Sequence, residues 1–544
     1  MVKEKIGDIP PEKENEKVAK KIKMLLARSQ EDEWESVAWV QLKEWNLKQK
    51  APLNEGELRK LFENTTSQES NSREEDEGDD ELKILKSIIF SEENLTYFLD
   101  QLKDVYVRVK ADKCFEIMRL DSGRFKSWII KKYNDLTDNI PTSGNIKKVL
   151  SLLRAKAVYG DKKYELSIRG AYSGGCIWYD LVNDEYKAIK IDKTGWAVID
   201  TPPILFKRNI QNEQIVPERG GSVLDLLKFV NIKGEKQRLL FLVSTITYFI
   251  PNIPRPIQVY FGSQGSAKST TNRIVKSVVD PSKVELLTLL NETRELTQQL
   301  DQHYLLSFDN LASLEVKTSD TLCRAVTGGG LSKRKLYTDS DNVIFEFKRA
   351  IIINGVNLVA NKPDLLDRSL LFELERIEEE NRKAEEDFWQ EFNLVKPKIL
   401  GAIFDALSKA LIILPAVKLE KTPRMADFAK WGCAIAEAIG YTQKQFVEAY
   451  EENYGMQNRQ AIEENPVASA ILMLVGNRKN WNGTSRDLLK EIKAIAEKED
   501  LDMKFFPKSP SALSRKVNEV RSNLLSESVK IEKIGQRNWN IEKV

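Results

Sequence analysis

The sequence predicts a multidomain α/β protein with a P-loop core, a helical and mixed α+β N-terminal region and a small C-terminal domain. Its 544 residues allow three to four domains at about 150 residues each. The strand-like segment 257–261 leads into a glycine-rich loop and then a helical pattern. Two further apolar segments, 304–308 and 350–353, end in polar side chains. Strands and helices that alternate in this way are typical of a parallel sheet.

The composition is that of an ordinary soluble protein. Hydrophobic residues make up 41% and charged residues 31%, so the chain can bury a sizeable core. The 84 Lys and Arg residues balance 82 Asp and Glu residues, and any basic surface must therefore be local. One histidine, His303, and four widely spaced cysteines do not supply the parts of a zinc finger, a zinc hydrolase or a histidine-based triad.

The apolar segments and cysteines predict a cytoplasmic protein without membrane contact. The start, Met1-Val2-Lys3-Glu4-Lys5, is charged and leads to no apolar core segment, so no signal peptide is expected. Unpaired cysteines fit a reducing cytosol. The longest apolar stretch, Leu239 to Pro251, is too short to span a bilayer, and we expect a buried helix there.

Three regions are expected before the P-loop domain. Residues 1–63 carry apolar residues at helical spacing and are predicted to be helical. Residues 64–81 contain no large apolar residue and end in an acidic run, which favours a disordered, solvated linker over a nucleic-acid mimic. Residues 82–215 combine helical patterns with short alternating strands, which predicts a small α+β domain of unassigned chemistry.

The loop that follows residues 257–261 has the composition of a phosphate-binding loop. Small residues let successive backbone N–H groups face phosphates, and the next helix adds positive potential at its N-terminus. Lys268 would neutralise the β- and γ-phosphates, and the Ser269 hydroxyl would bind Mg²⁺. The strict P-loop pattern has glycine where this chain has Ala267, the smallest substitute. The alternative is a glycine–serine turn with an exposed lysine. The predicted nucleotide-binding residues are Gly262, Ser263, Gln264, Gly265, Ser266, Ala267, Lys268, Ser269 and Thr270.

Asp309 ends the second apolar segment and is predicted to hold Mg²⁺ through water, so the expected metal ligands are Ser269 and Asp309. In many ATPases the next residue is a glutamate that activates the attacking water. Here it is Asn310, which can orient water but cannot act as a base. A buried strand that ends in an ordinary turn is the alternative interpretation.

Two polar residues further along the chain are expected to complete the catalytic set. Asn354 ends the third apolar segment and is placed to contact the γ-phosphate or the attacking water. Arg368 precedes another apolar strand, from which it can reach the γ-phosphate of a neighbouring subunit. By spacing alone, a structural ion pair of Arg368 with Asp364 or Asp367 is an equal alternative.

A basic segment lies between Asp309 and Asn354. Three glycines at 328–330 are followed by the consecutive cations Lys333, Arg334 and Lys335, which predicts a mobile loop or hairpin. Binding to a nucleic-acid backbone is the functional interpretation, and a solvated charged turn is the alternative.

The order of these motifs resembles that of superfamily 3 helicases, the AAA+-type hexameric motors of viruses, phages and plasmids. More closely, the chain is similar to helicase-like ATP-binding proteins of phages and integrated elements, which are often linked to primase–polymerase domains. The resemblance covers residues 216–544. It rests on GSQGSAKST (262–270), SFDNLASL (307–314), SDTLCRAVTGGG (319–330), RKLYTDSD (334–341), IIINGVN (351–357), KPDLLDRS (362–369) and PRMADFAKW (423–431).

The resemblance implies an AAA+-like ATPase core over residues 216–415 that binds ATP and Mg²⁺ through Lys268, Ser269 and Asp309. It also implies that Asn354 is a sensor and that Arg368 acts as a finger in trans. Lys333, Arg334 and Lys335 would form a DNA-facing hairpin. Ala267 and Asn310 are normal for this subgroup, and Asn310 leaves the general base without a candidate.

The C-terminal region is expected to bind DNA. Residues 416–465 are predicted to be a helical connector, and residues 466–544 resemble a winged-helix domain with two terminal strands as the wing. Thr484 and Ser509 are expected helix caps. The second of these helices would place Arg515, Lys516 and Arg521 in or near the major groove. A small helical lid with ordinary surface charge is the alternative.

These expectations describe a DNA-dependent ATPase and replicative helicase of a phage, plasmid or integrated element. Movement in the 3′→5′ direction is implied by the family resemblance only. ATP would bind between subunits of a hexameric homo-oligomer and drive movement on single-stranded DNA, with an origin duplex as a second DNA partner. A primase or polymerase is an expected protein partner, because no carboxylate cluster for primer synthesis is recognised in the N-terminal region. The second hypothesis is an ATP-dependent assembly or helicase-loading factor, which Asn310 favours. A third, a small-molecule kinase with a P-loop, fits Asn354, Arg368 and the basic C-terminal region poorly.

Overall fold

A computed structural model describes residues 11–90, 95–111, 114–334, 342–346, 348–356, 362–463, 465–478, 480–504, 506–535 and 538–544. The chain divides into two compact units. The first contains the chain up to residue 162 except residues 99–104 and 111–117, which belong with residues 163–544 in the second.

The region before residue 163 combines helices with a three-stranded sheet in the order β1-β2-β3. A small core around the fully buried Ile22, Leu42 and Phe62 joins its first three helices. The elements are α1 (Pro11–Leu26), α2 (Trp39–Leu47), α3 (Glu55–Ile89), β1 (Leu95–Leu99), β2 (Val105–Ala111), β3 (Cys114–Arg119), α4 (Gly123–Thr137) and α5 (Ser143–Val158), with short 3-10 and π turns at Glu31–Glu33 and Trp34–Ala38.

The prediction of a disordered linker at 64–81 is wrong, because this segment lies within α3. The side chain of Asn54 caps the helix by accepting a hydrogen bond from a backbone N–H of the first turn. Phe62 near its start and Leu85 near its end are buried, so apolar contacts anchor both ends. Glu and Gln between these anchors are good helix formers, and a lack of apolar residues does not interrupt such a helix.

In its described residues, the second unit contains a four-stranded parallel sheet, a four-stranded antiparallel sheet, a three-stranded sheet, two two-stranded sheets and the C-terminal helices. Its elements up to the parallel sheet's last strand are β4 (Leu166–Ser167), β5 (Gly170–Ser173), β6 (Cys176–Asp180), β7 (Ala188–Asp192), β8 (Gly195–Ile199), β9 (Leu205–Phe206), α6 (Glu235–Thr247), β10 (Ile257–Phe261), α7 (Lys268–Val279), α8 (Thr293–Gln302), β11 (Leu305–Leu311), α9 (Val316–Thr327), β12 (Gly330–Arg334), β13 (Asn342–Glu346), β14 (Ala350–Gly355), α10 (Pro363–Leu366) and β15 (Ser369–Glu373). The remaining elements are α11 (Glu385–Ile413), α12 (Ala426–Ala438), α13 (Gln443–Glu463), α14 (Pro466–Arg478), β16 (Asn480–Thr484), α15 (Ser485–Lys498), α16 (Pro510–Ser526), β17 (Val529–Ile534) and β18 (Asn538–Lys543).

The range 82–215, expected to be one domain, is divided between the two units at residue 162. Strands β5 to β8 form an antiparallel sheet that packs on the core of the second unit. The rings of Tyr179 and Phe404 lie 5.6 Å apart between centroids. Buried Arg169 donates to Asp280 at the end of α7 over 3.0 Å. These partners are far apart in sequence, so local patterns did not reveal the division.

The central sheet is parallel, in the order β11-β14-β10-β15. Its strands are nearly continuous apolar runs, and Ile351, Ile352 and Ile353 are fully buried, as expected where both faces of a sheet are covered. Because the neighbouring strands are parallel, the carboxyl ends of β10, β11 and β14 meet at one edge.

Two apolar helices pack inside the second unit. The prediction of a buried helix near Leu239–Pro251 is confirmed by α6, whose residues from Leu239 to Thr247 are all buried. The stretch Glu385–Ala416, which contains α11, is long and apolar enough to cross a membrane by length and composition alone. Of its most apolar 18-residue window, 61% is buried inside the protein.

The C-terminal residues form a module with its own core. Helices α14, α15 and α16 pack against an antiparallel sheet of order β16-β18-β17, around buried Leu488, Leu513 and Trp539. Thr484 and Ser509 cap α15 and α16, as the sequence predicts. The two predicted terminal strands are β17 and β18, and β16 adds a third that the sequence did not suggest.

Candidate functional site

The glycine-rich loop connects β10 to α7 and has an unusual backbone. Gly262 and Gly265 have φ values of 136° and 77°, and Ala267 has φ 62° and ψ 32°. A left-handed conformation costs a residue with a Cβ about 1 kcal/mol, which explains the usual glycine at the position of Ala267. Gly262 is required for space as well, since a Cβ there would lie 2.2 Å from the carbonyl oxygen of Leu374.

Lys268 opens α7 and folds back over the loop. Its Nζ donates to the carbonyl oxygens of Gly262 at 2.9 Å and Ser263 at 2.7 Å. Burial lowers the pKa of Lys268, and the nearby charge of Asp309 opposes that effect. The ammonium group therefore lies inside the loop, hydrogen-bonded to two backbone carbonyl oxygens. An anionic ligand can take the place of these oxygens as the acceptor.

Asp309, Ser269 and Asn354 form a hydrogen-bonded cluster at the carboxyl edge of the parallel sheet. The Ser269 hydroxyl donates to Oδ1 of Asp309 at 2.8 Å, and the Asn354 amide donates to the same oxygen at 2.5 Å. The Asn354 Oδ1 in turn accepts from the backbone N–H of Asn310 at 2.7 Å. Residues from α7, β11 and β14 are thus brought together as the sequence predicts.

An irregularity in β11 directs these side chains. The pairing of β11 with β14 shifts after Phe308, and Asn310 has a left-handed φ of 54°. Asn272, on the buried face of α7, donates to the carbonyl oxygen of Phe308 at 3.1 Å. Asn272 fixes the strand end on which Asp309 lies, and the sequence analysis did not identify it. The available signal was a polar residue one turn after Lys268, close to the apolar positions that α7 buries.

The donor set at Asp309 suits a hard cation. A carboxylate and a hydroxyl lie within hydrogen-bonding distance of each other, and oxygen ligands are those that Mg²⁺ prefers. In the described part of the chain, no group of three or more His, Cys, Asp or Glu side chains is placed to hold a metal ion. A cation here would therefore need water or phosphate oxygens to complete its coordination.

Arg368 is engaged in an ion pair within its own chain. Its guanidinium donates to the backbone carbonyl of Asp364 at 2.7 Å and also to the Asp364 carboxylate. Arg424 binds the carboxylates of Asp364 and Asp367 at 2.7 and 2.5 Å. Burial raises the pKa of Asp364, but the hydrogen bonds from Arg368 and Arg424 outweigh it and leave the pKa lowered. The ion pair considered as an alternative is present, and an intersubunit contact remains a prediction.

The predicted basic residues lie in two places. Lys333 and Arg334 are on β12, which pairs with β13 as an antiparallel hairpin, while Lys335 lies outside the described residues. Arg515, Lys516 and Arg521 are on α16. Arg515 and Arg521 are exposed, and Lys516 pairs with Glu519 at 2.8 Å. The hairpin is confirmed, and the DNA contacts remain predictions.

A separate cavity of about 640 Å³ lies near the amino ends of β10, β11 and β14. Its lining includes Lys207, Arg255, Tyr304 and Lys348, and none of the residues that bind Asp309. The Asp309 cluster, rather than this cavity, carries the chemistry that the sequence predicts.

The fold and site define an α/β protein whose candidate site lies at the carboxyl edge of a parallel sheet. Within that class, residues 222–453 match the family model of an actinomycete integrative conjugative element replication protein, RepA. Residues 467–544 match the C-terminal domain of the same RepA. Over these two regions the chain is similar to a replication protein of a mobile element, which supports the predicted resemblance at that coarser level.

Solved structures add little to this. The apo A form of the NrS-1 C-terminal region is 11% identical, with 85% of this chain and 98% of that chain covered and a TM-score of 0.37. The active helicase SCCmec type IV Cch is 11% identical, with coverages of 83% and 93% and a TM-score of 0.39. Such TM-scores carry no argument about this chain. No curated protein matches it.

Proposed function

We propose that this chain is a DNA-dependent ATPase and helicase that acts in the replication of an integrative mobile element. The observation that carries the proposal is the convergence of Ser269 and Asn354 on one carboxylate oxygen of Asp309, beside the loop that holds Lys268. A hydroxyl, a carboxylate, an amide and an ammonium around a glycine-rich loop are the groups that phosphoryl transfer from a nucleoside triphosphate requires.

In this proposal, residues 262–270 cradle the phosphate chain of ATP. Lys268 exchanges its bonds to the Gly262 and Ser263 carbonyls for bonds to phosphate oxygens. Ser269 and Asp309 would hold Mg²⁺, which when bound supplies positive charge to the phosphate oxygens.

Asn354 and Asn310 orient the reaction rather than take a proton. The Asn354 amide bridges Asp309 and the backbone of Asn310, so it can sense whether a phosphate or a water occupies the edge of the sheet. Asn310 is exposed and can donate to an attacking water. Arg368 would complete the site of a neighbouring subunit in a hexameric ring, after leaving Asp364.

The hairpin of β12 and β13 and the helix α16 are proposed to contact DNA. Lys333, Arg334 and Lys335 would bind the backbone of one strand, and Arg515, Lys516 and Arg521 would approach duplex DNA. A primase or polymerase would act as a separate partner. Contacts of this kind weaken with salt because they release counterions.

Hydrolysis of ATP with and without single-stranded DNA tests the proposal, with Lys268→Ala as the matched control. We expect hydrolysis that DNA stimulates and that the substitution abolishes. Hydrolysis indifferent to DNA would contradict the DNA-dependent activity. ATP binding without hydrolysis would favour the second candidate, an ATP-dependent assembly or loading factor, which the amide rather than carboxylate at Asn310 supports.

A further inference from the structure

The segment that follows β15, residues 374–382, lies along the glycine-rich loop. The backbone N–H of Leu374 donates to the Phe261 carbonyl at 2.9 Å, and that of Ile377 donates to the Gly265 carbonyl at 3.1 Å. Asn231 holds the same segment from the other direction, by donating to the Glu375 carbonyl at 2.6 Å. We call residues 374–382 the strap. Its backbone is fixed to the start and to the centre of the loop.

Two arginines of the strap reach the middle of the loop. A Cβ built on Gly265 would lie 3.6 Å from an Nη atom of Arg382 and 4.0 Å from Cγ of Arg376. Both side chains are exposed. Gly265 is at the centre of the loop whose backbone would surround a phosphate chain. The guanidinium group of Arg382 and the aliphatic stem of Arg376 therefore both lie beside the loop.

Neither arginine has an ion pair among the residues that the structure describes, although the strap itself is rich in glutamate. The neighbouring cations behave differently. Lys383 pairs with Glu391, and Arg273 on α7 pairs with Glu285 at 3.1 Å and Glu385 at 2.8 Å. Arg376 and Arg382 are thus cations near the loop that have no counter-ion in the described part of the chain.

We propose that Arg376 and Arg382 bind the phosphate chain of the nucleotide from the same subunit, in addition to Lys268. This inference rests on the proposed ATP site and adds two binding residues to it. Guanidinium groups match phosphate oxygens in charge and geometry, and charge-assisted hydrogen bonds of this kind are among the strongest. The strap places them directly after β15, the edge strand of the parallel sheet, which pairs with β10.

Competition binding on the full chain tests the proposal, with ATP and AMP displacing a fluorescent nucleotide in the presence of Mg²⁺. The double variant Arg376→Ala/Arg382→Ala should bind ATP about ten-fold or more weakly, since two charge-assisted bonds are lost. Its affinity for AMP, which lacks the β- and γ-phosphates, should be unchanged. Arg376→Lys/Arg382→Lys should recover part of the ATP affinity. Lys383→Ala, in which a paired neighbouring cation is removed, should bind ATP as the wild type does.

The outcomes separate this inference from the proposed function. If the wild type binds ATP and Lys268→Ala does not, while the double arginine variant equals Lys383→Ala, the strap proposal fails and the ATP site stands. An equal loss of ATP and AMP binding would also overturn the proposal, because it would mean a general disturbance of the loop. If the wild type does not bind ATP, the proposed function and this inference fail together.

Discussion

At the scale of single residues, the candidate site depends on one carboxylate oxygen. Oδ1 of Asp309 accepts from Ser269 and Asn354, so α7 and β14 are both tied to the end of β11. The motifs predicted this meeting of three elements because polar residues at the ends of neighbouring parallel strands share one edge. Asn272 escaped prediction because its partner is a backbone carbonyl, which no side-chain pattern marks.

Asn354→Ala tests the role given to this amide. The substitution removes the acceptor of the Asn310 N–H and one of the two hydrogen bonds that Asp309 Oδ1 accepts. We expect kcat for ATP hydrolysis to fall about 100-fold, as for loss of one preorganised donor. ATP affinity should change little, because Lys268 and the loop are intact. Asn291→Ala is the control, since it removes only a surface hydrogen bond to Glu315. An unchanged kcat would contradict the assignment.

His303 provides a pH test of the fold. It is the chain's single histidine, it is buried, and burial together with the charge of Lys276 lowers its pKa from 6.5 to about 3. The folded protein therefore keeps His303 neutral while the unfolded chain takes up a proton below pH 6.5. Its contribution to stability is full above about pH 6.5 and declines as the pH falls towards 3.

Histidine-selective NMR measures the pKa of His303 directly, because the chain contains only one imidazole ring. We expect no titration between pH 8 and about 5, since the folded-state pKa lies near 3. A midpoint near the ordinary value would show that the interior beneath β11 is open to water.

At the scale of elements, the sequence predicted the parallel strands, the helix caps and the hairpin, because each has a local signal in apolar runs, capping residues or glycines. It could not predict α3, where an acidic segment continues as a helix between two anchored ends. The division near residue 162 also depends on distant partners, such as Arg169 with Asp280. Both errors came from interpreting composition without knowing what packs on each end of the segment.

Ala267→Gly tests the junction of loop and helix. The left-handed φ of 62° suits glycine better than alanine, so the variant should gain up to about 1 kcal/mol of unfolding free energy. ATP affinity should be retained. Ala494→Gly, at an exposed position inside α15, should instead lose about 1 kcal/mol because glycine is a poor helix former. Urea unfolding measures the free energy of unfolding of both variants. If Ala267→Gly lost as much of it as Ala494→Gly, the strain assigned to the loop would be contradicted.

At the scale of the whole molecule, the proposed function requires that one subunit completes the ATP site of the next. Arg368 is the proposed link, yet in the single chain it binds Asp364. Its guanidinium Nε is buried and has no hydrogen-bond partner among the residues that the structure describes. The ion pair with Asp364 and a contact with the neighbouring subunit are compatible if the ion pair holds Arg368 at the surface through which a ring assembles.

Mixing two inactive variants distinguishes these roles. Lys268→Ala lacks a working ATP site but keeps Arg368, whereas Arg368→Ala keeps the site and lacks the finger. Each should hydrolyse ATP poorly alone, and a mixture should regain activity because some interfaces then contain both working parts. No recovery on mixing, together with a lowered melting temperature of Arg368→Ala, would assign Arg368 to stability only.

In the proposed function, ATP hydrolysis at the Asp309 cluster drives the separation of DNA strands. Displacement of a labelled strand from a forked duplex is the most direct measurement, with Asp309→Asn as the control. We expect the wild type to displace the strand only when ATP and Mg²⁺ are present, and Asp309→Asn to displace none. A wild type that hydrolyses ATP on DNA but displaces no strand would contradict the helicase assignment and leave an assembly factor in its place.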